Sequence, residues 1–583
     1  MESASSAYLA RDGRFFPALT VLEWALFAVL AATLAVTNIY TTLLIGWGDG
    51  GSIIAVLLAV LILRGVARRS PEIPVTNLGQ TMASAGGSVG FAVATYTAVE
   101  IAQPEFQPGI VPLTLLFMLM GMVGAMIGTS VRRQMVGYFF PSGTACAVIQ
   151  RTVAEADPAR RQRPMRLLTR WGALGALITI PTKLTFSKGG EALLHTIYPS
   201  KAFEERGAGL AFDPLLYGIG IVVGPRIGVG MLIGGLVATF GIPEWAVGQP
   251  EGVGNWVKFM AIGVLTLPTF ATIVFAFLFR TPLVVPAGFT PGKTTYTAPR
   301  AAKTVWSAIA IVGIGATAFL ADYLFGLPWP FAVLTAGIAW PLCIMNGRVQ
   351  GETDINPVRL VAIVLLAALA WAVAGGTTPM LGMAIIGGTL AAVACDLFQD
   401  FRTGYLLDCN PTHQTTVQLV GCAIGAVAAV PFLALLDSQV GFGPGSSLPA
   451  PGAQVWAAMA QAFAGDLRPT GTMWLALTLV SLGASAYAFL TVWPKTARFM
   501  PSIFGIGIGM LLPMFNSFAI FLGGLINLAV MLSYRKKPDA SAGDDTMLVG
   551  SSMFGASAVV SVAAVIVTSI LAAAGIGGVF LAS

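Results

Sequence analysis

Long apolar runs separated by short polar punctuation recur from one end of the chain to the other. Residues 29–36, 262–278, 361–374 and 556–574 are examples. A bilayer core takes about 20 helical residues to cross, and more than a dozen segments approach that length. The pattern predicts an all-α, polytopic integral membrane protein. A β-barrel is excluded, because its strands would alternate apolar and polar residues. No segment is long and polar enough to form a soluble domain.

Basic residues orient the spans, because cytoplasmic loops carry the excess of Lys and Arg. Arg64, Arg68 and Arg69 follow the second span, which places that loop and the N-terminus inside. Residues 1–20 lack a signal-peptide pattern, so the first span is expected to be retained, in the inner (plasma) membrane. The stretch 138–150 has only 13 residues, reaching about 20 Å as a helix, and both of its flanks are basic. A re-entrant segment fits better than a full span. Two short pieces, 211–223 and 227–241, surround Pro225 and Arg226 and read as broken helices. The next span runs over 256–279. Later spans are expected near 304–326, 329–346, 357–375, 378–395, 414–436 and 472–493. A second Pro-bounded hairpin, 501–513, lies between Lys495, Arg498 and the Arg535-Lys536-Lys537 run. The Pro/Gly/Thr-rich stretch 281–303 divides the chain into membrane halves 1–290 and 291–583, and 438–471 forms an extracytoplasmic loop.

Two local matches point to an internal duplication. Phe139-Phe140-Pro141-Ser142 and Phe499-Met500-Pro501-Ser502 each open a short segment after basic residues. Upstream, Leu78-Gly79-Gln80 resembles Leu397-Phe398-Gln399. Duplicated halves with helix breaks at matching places are typical of transporters that bind near the membrane midplane.

Composition sharpens this picture. The chain has 583 residues, of which 56% are hydrophobic and only 10% charged. Its 68 glycines and 35 prolines imply close helix packing, broken helices, or both. The net charge of +6 belongs to short loops and does not indicate nucleic acid. The five cysteines form no CxxC pair and read as free thiols. His195 and His413 have no partner at metal-ligand spacing, so no metal or cofactor is expected. Gly46-Trp47-Gly48-Asp49 spells a GxGD without a second equivalent Asp, which argues against an intramembrane protease.

Against so few charges, residues 394–411 stand out: Asp396, Asp400, Arg402 and Asp408 crowd the end of an apolar run. Ionisable groups there usually face protein or water. A solvated helix end with an ion pair and a proton or substrate site are both open readings. Gln80, Ser84 and Ser88 are four apart and share a helix face, either as a helix–helix interface or as a substrate lining. Ser142, Gly143 and Thr144 sit at a helix start, which can hold a carboxylate or simply be capped by Ser142. Ser502 and Gly505 open a second such segment. Glu352 and Asp354 lie in a GETDINP loop and act as solvated groups or as a gate.

NLGQTMASAGGS, FFPSGTACAVI, GETDINP, CDLFQDFRTGYLL and PSIFGIGIGMLLPMFNSFAIFLGGLI resemble the signature stretches of the oligopeptide transporter (OPT) family, which includes the yellow-stripe metal-chelate carriers. They follow family order from about residue 70 to 540. The resemblance implies about sixteen membrane helices and proton-coupled uptake of small peptides or peptide-like compounds, metal chelates among them. It leaves the substrate open. Candidate substrate-binding positions are Asn77, Gln80, Ser84, Ser142, Gly143, Thr144, Ser502, Gly505 and Asn516. Candidate proton-coupling or gating positions are Asp396, Asp400, Arg402, Glu352 and Asp354. In this scheme Asp396 or Asp400 carries the proton and Arg402 favours its charged form. The helix starts at Ser142 and Ser502 hold peptide carboxylates, and Gln80 and Ser84 contact the peptide backbone. Charge placement puts Asp396 and Asp400 at the inner mouth, apart from a midplane pocket formed by 77–90, 141–146 and 501–510. A membrane-embedded enzyme and a passive channel are the alternatives.

Overall fold

A computed structural model describes chiefly residues 15–45, 51–65, 72–155, 158–185, 192–241, 298–369, 376–439, 471–490, 500–534 and 542–573. Several expected features lie outside these residues: Gly46–Asp49, Arg68 and Arg69, most of the 256–279 span, the boundary stretch up to residue 297, most of the 438–471 loop, Lys495, Arg498 and the 535–537 basic run. Among the described residues the protein is helical apart from a two-residue strand pair, Leu184–Thr185 with Phe580–Leu581. Seven helices are long and apolar enough to cross a membrane, again among the described residues. All five cysteines are free.

The chain forms two compact units, each drawing segments from before and after residue 290. The first comprises 1–138, 290–350 and 356–468. At its centre runs the Thr377–Leu406 helix, in which every residue from Pro379 to Gly404 is buried. This corrects the expected end of the span at 395. Nothing in 396–403 breaks a helix, so the apolar run and the acidic cluster form one continuous element. Asp396 and Asp400 therefore lie within the helix, rather than at a solvated end. Around it pack the Ile73–Ala94, Ile110–Met135, Val358–Leu369 and Pro411–Gln439 helices, and Val21–Ile45 packs in turn on Ile73–Ala94 and Pro411–Gln439. Glycines set their spacing. Gly86 and Gly90 lie against the carbonyls of Ala31 and Ala35, Gly421 against that of Met82, and Gly124 against that of Leu390.

The second unit comprises 139–289, 351–355 and 469–583. The short segment expected at 138–150 is the Pro141–Ala154 helix, opened by proline and only 14 residues long. The basic stretch after it is not a loop: Arg160, Arg161, Arg163, Arg166 and Arg170 lie on the Pro158–Lys183 helix. A proline near the first turn lacks only an N–H that would have gone unused, so the helix begins there. Arg163 is paired with Asp545 at 2.7 Å. The broken helix around Pro225 is present as Pro214–Val223 and Pro225–Phe240, joined at Gly224 with φ +82°. That conformation suits glycine alone. Asn527 Nδ2 donates to the Ile221 carbonyl at 2.7 Å, meeting an acceptor near the break. A second interrupted element, Ile503–Leu511 followed by Met514–Tyr534, packs on the first.

The close helix approach in the first unit is directly testable. A Cβ at Gly86 would lie nearer the Ala31 carbonyl than real side-chain carbons sit, whereas one at Gly315 would meet nothing within 4 Å. Gly86→Ala is expected to cost about 1–3 kcal/mol through overpacking, and Gly315→Ala to be close to neutral. Thermal unfolding of the purified variants in detergent checks both.

Candidate functional site

Three helices bring a hydroxyl-rich face onto the two buried carboxylates of the first unit. The four-residue spacing of Gln80, Ser84 and Ser88 aligns them on the Ile73–Ala94 helix, and the same spacing aligns Asp396 and Asp400 opposite. Ser84 Oγ and Ser88 Oγ each donate to Asp396 Oδ2 at 2.6 Å. Gln80 Nε2 donates to Asp400 Oδ1. Asn77 Nδ2 donates to Gln80 Oε1 at 3.3 Å and so helps aim that amide. Ser52 opens the Ser52–Gly65 helix with its Oγ 3.3 Å from Asp400 Oδ1, 3.4 Å from Gln399 Oε1 and 3.1 Å from Ser84 Oγ. Gln414 Nε2 donates to the Asp400 backbone carbonyl at 2.6 Å. Asp396 is 3% exposed and Asp400 is fully covered.

This arrangement differs from the sequence expectation in two respects. First, the residues assigned to a midplane pocket and those assigned to a gate are partly one cluster: Gln80 and Ser84 touch Asp400 and Asp396. Second, Arg402 does not pair with either acid. Two residues beyond Asp400, it points to another side of the helix. Its Nη1 donates to the Val136 carbonyl at 3.0 Å and its guanidinium lies 6.0 Å from the Tyr405 ring centre. Among the described residues no basic side chain meets either carboxylate. Burying an unpaired carboxylate costs roughly several kcal/mol, so the pair is held by hydroxyl and amide donors alone.

The second unit gathers the remaining candidates. Asp354 accepts from Ser142 N at 2.8 Å and from Ser142 Oγ. Ser502 Oγ donates to Glu352 Oε2, also at 3.2 Å from the Gly505 N–H that it caps. Glu352, in the last turn of the Trp329–Thr353 helix rather than in the expected loop, and Asp354 just beyond it thus hold the two helix starts singled out by the Pro-Ser repeat. The carbonyl of Gly351, in the same last helical turn, also accepts from Phe140 N at 2.8 Å. Phe140 (φ +41°) and Asp354 (φ +65°) both occupy left-handed backbone, a sparsely populated region for such residues. Thr144 Oγ1 turns back to the Phe139 carbonyl. Gly143 is buried in the first turn of its helix. Gly505 also serves packing, with the Ile227 carbonyl 2.9 Å from where its Cβ would be. Asn516 is half-buried and makes no side-chain hydrogen bond among the described residues. The helix starts are therefore met by the protein's own carboxylates rather than presented to an incoming one.

The sequence carries no signal for Ser52, whose role comes from tertiary contacts alone, while Gln414 stands just downstream of the CDLFQDFRTGYLL stretch that resembles the family. Gln399 was signalled by the Leu-Gly-Gln and Leu-Phe-Gln match, whose two glutamines both meet the Asp400 cluster.

A model of the OPT oligopeptide transporter protein family matches residues 18–568. The chain is 25% identical over 374 residues to the probable metal-nicotianamine transporter YSL17 of Oryza sativa subsp. japonica, covering 55% of this chain and 53% of that one. It is 28% identical over 217 residues to the putative oligopeptide transporter YGL114W of Saccharomyces cerevisiae, covering 35% of this chain and 29% of that one. A putative oligopeptide transporter of Haemophilus influenzae is 31% identical over 137 residues, 21% of each chain. The match to these relatives thus spans about half of their length or less.

A further acid lies beyond the end of the Ile73–Ala94 helix. Burial pushes the Glu100 carboxyl from its ordinary 4.5 up to about 8, and the nearby Asp437 adds to the shift. Glu100 Oε2 has no hydrogen-bond partner among the described residues. Between those two values the folded state holds a proton that the unfolded state has released, so stability falls as pH rises through the window. Thermal unfolding is expected to show this decline between about pH 5 and 8. Glu100→Gln should flatten the profile and raise the melting temperature at its alkaline end.

Proposed function

The chain belongs to the OPT oligopeptide transporter family, and from that membership we propose that it imports small peptides or peptide-like compounds by proton-coupled alternating access. The observation that carries this reading is the Asp396–Asp400 pair, two carboxylates on adjacent turns of a fully buried helix with neutral donors around them. Like charges so close disfavour a doubly ionised state. Either a proton accompanies the pair when it is covered, or water reaches it when the helices part. A group that must change its proton inventory on exposure is what coupling to a proton gradient requires. The titratable groups beside it are the thiols of Cys395 and Cys422, while Arg402 is directed elsewhere.

The duplication read from the sequence supports the same mechanism. Gln80 and Gln399 come from matching positions in the two halves, 1–290 and 291–583, and converge on one cluster. Transporters of duplicated design place substrate and coupling-ion sites where the repeats meet. Glu352 and Asp354 act in this reading as a gate that holds two short helices by their N-termini. The positive-inside distribution supports a cytoplasmic N-terminus and an inner (plasma) membrane location.

Metal chelates form the second substrate class, favoured by the relatives named as metal-nicotianamine transporters. Family membership weighs against a membrane-embedded enzyme. Counterflow separates a carrier from a channel, because only a carrier exchanges substrate across the membrane stoichiometrically.

Proteoliposomes with an acid-outside gradient test the proposal, using labelled di- and tripeptides and metal chelates. Asp396→Asn and Asp400→Asn are each expected to lower gradient-driven uptake by about tenfold or more while sparing counterflow. Full proton-driven uptake in both variants overturns the carboxylate assignment. Absence of uptake for every compound overturns the transport reading itself.

A further inference from the structure

The interior of the first unit holds a second polar group that its own side chains do not satisfy. Gln418, on the Pro411–Gln439 helix, is fully covered. Neither its Nε2 nor its Oε1 has a hydrogen-bond partner among the described residues. Buried amides are nearly always paired, and an exception calls for a specific explanation. A leucine or methionine would fill the same space without the cost of desolvating an amide.

Its position ties it to the carboxylate cluster. Gln418 lies one turn beyond Gln414, whose amide rests on the Asp400 backbone, so the two share a helix face. The preceding residue, Val417, belongs to one core cluster with Leu78 and Met82. Three residues further on, Gly421 abuts Met82 and Ala85. Gln418 thus stands at the level of Thr81 on the Ile73–Ala94 helix, and Thr81 Oγ1 is likewise fully buried and without a partner. Gln399 Nε2, Asp396 Oδ1 and Asp400 Oδ2 extend the same unsatisfied set one helix further.

We propose that Gln418 recognises a peptide bond of the transported compound. The Gln418 amide oxygen can accept from the N–H of a trans peptide bond while its Nε2 donates to another acceptor of the compound, and Thr81 supplies a further hydroxyl. The inference rests on the peptide-transport reading given above. It also accounts for the amide being covered in this conformation. A ligand reaches Gln418 only where the helices have parted, and there it satisfies groups that the closed arrangement leaves unpaired. Binding therefore favours the opened conformation by its differential interaction with the two states.

Two measurements on Gln418→Met test this, one of them independent of transport. Removal of an unsatisfied buried amide is expected to raise the melting temperature of the substrate-free protein in detergent. In proteoliposomes, uptake of a dipeptide is compared with uptake of its ester analogue, which lacks the amide N–H. The wild type is expected to prefer the peptide by about tenfold or more through a lower KM, and the variant to bring that ratio close to one with kcat little changed. Gln418→Asn, which keeps the amide on a shorter stem, should give an intermediate ratio and serves if the methionine variant does not fold. A lower melting temperature together with an unchanged peptide-to-ester ratio would assign Gln418 a structural role and overturn the proposal. If wild type and variants transport peptide with the same ratio, this inference fails and the transport reading stands. If the wild type transports neither compound, it is the transport reading that fails.

Discussion

Hydrocarbon supplies no hydrogen bonds, so a polar group on a membrane helix must be met by its neighbours or by water. In the first unit this constraint falls on two carboxylates one turn apart. They cannot face lipid, and the Thr377–Leu406 helix that bears them is covered from Pro379 to Gly404. Covering a helix on all sides takes several partners at short range. The surrounding helices supply both the cover and the hydroxyls, and the rest of the unit follows from how closely they can approach.

Glycine provides that approach. Ser84 and Ser88 reach Asp396 with one-carbon side chains, so their helix backbone must lie near the acidic helix. The same helix must lie near two others, and Gly86 and Gly90 remove the side chains that would hold it away from Ala31 and Ala35. Serine and glycine alternate along one stretch of sequence, ASAGGSVG, because the two residue types serve different faces: hydroxyls toward the charge, bare backbone toward the neighbour. The close contacts with Ala31 and Ala35 make this stretch a helix–helix packing interface, and its serines meet Asp396 from the same helix.

The apolar rhythm of the sequence was sufficient for the class of fold and for most helices, because burial in a bilayer imposes a long, unambiguous hydrophobic signal. Helix ends were less legible. Charge at 396–402 suggests a span ending at 395, whereas tertiary cover lets charge sit inside a helix that runs to Leu406. Arg160 to Arg170 make the same point, since this basic run lies on a helix and not in a loop. Within the site, local spacing revealed Gln80, Ser84, Asp396 and Asp400 as faces, but not that the faces meet. Ser52 carries no local signal at all: a lone serine before an apolar run becomes significant only through a neighbour some 350 residues away, Asp400.

The second unit shows how the same physics can serve a different end. A helix start offers unsatisfied N–H groups and partial positive charge, and sequence reasoning assigned the two starts at Ser142 and Ser502 to a substrate carboxylate. The protein brings its own: Asp354 on the first and Glu352 on the second. A carboxylate already tethered to the chain has a large advantage in effective concentration over one free in solution. Any ligand anion would have to displace these carboxylates before it could take either place. Asp354, and Phe140 before the first helix start, both lie in left-handed backbone, and such strain persists only where surrounding contacts over-determine it. The end of the Trp329–Thr353 helix and the residue beyond it are thus fixed to both helix starts at once.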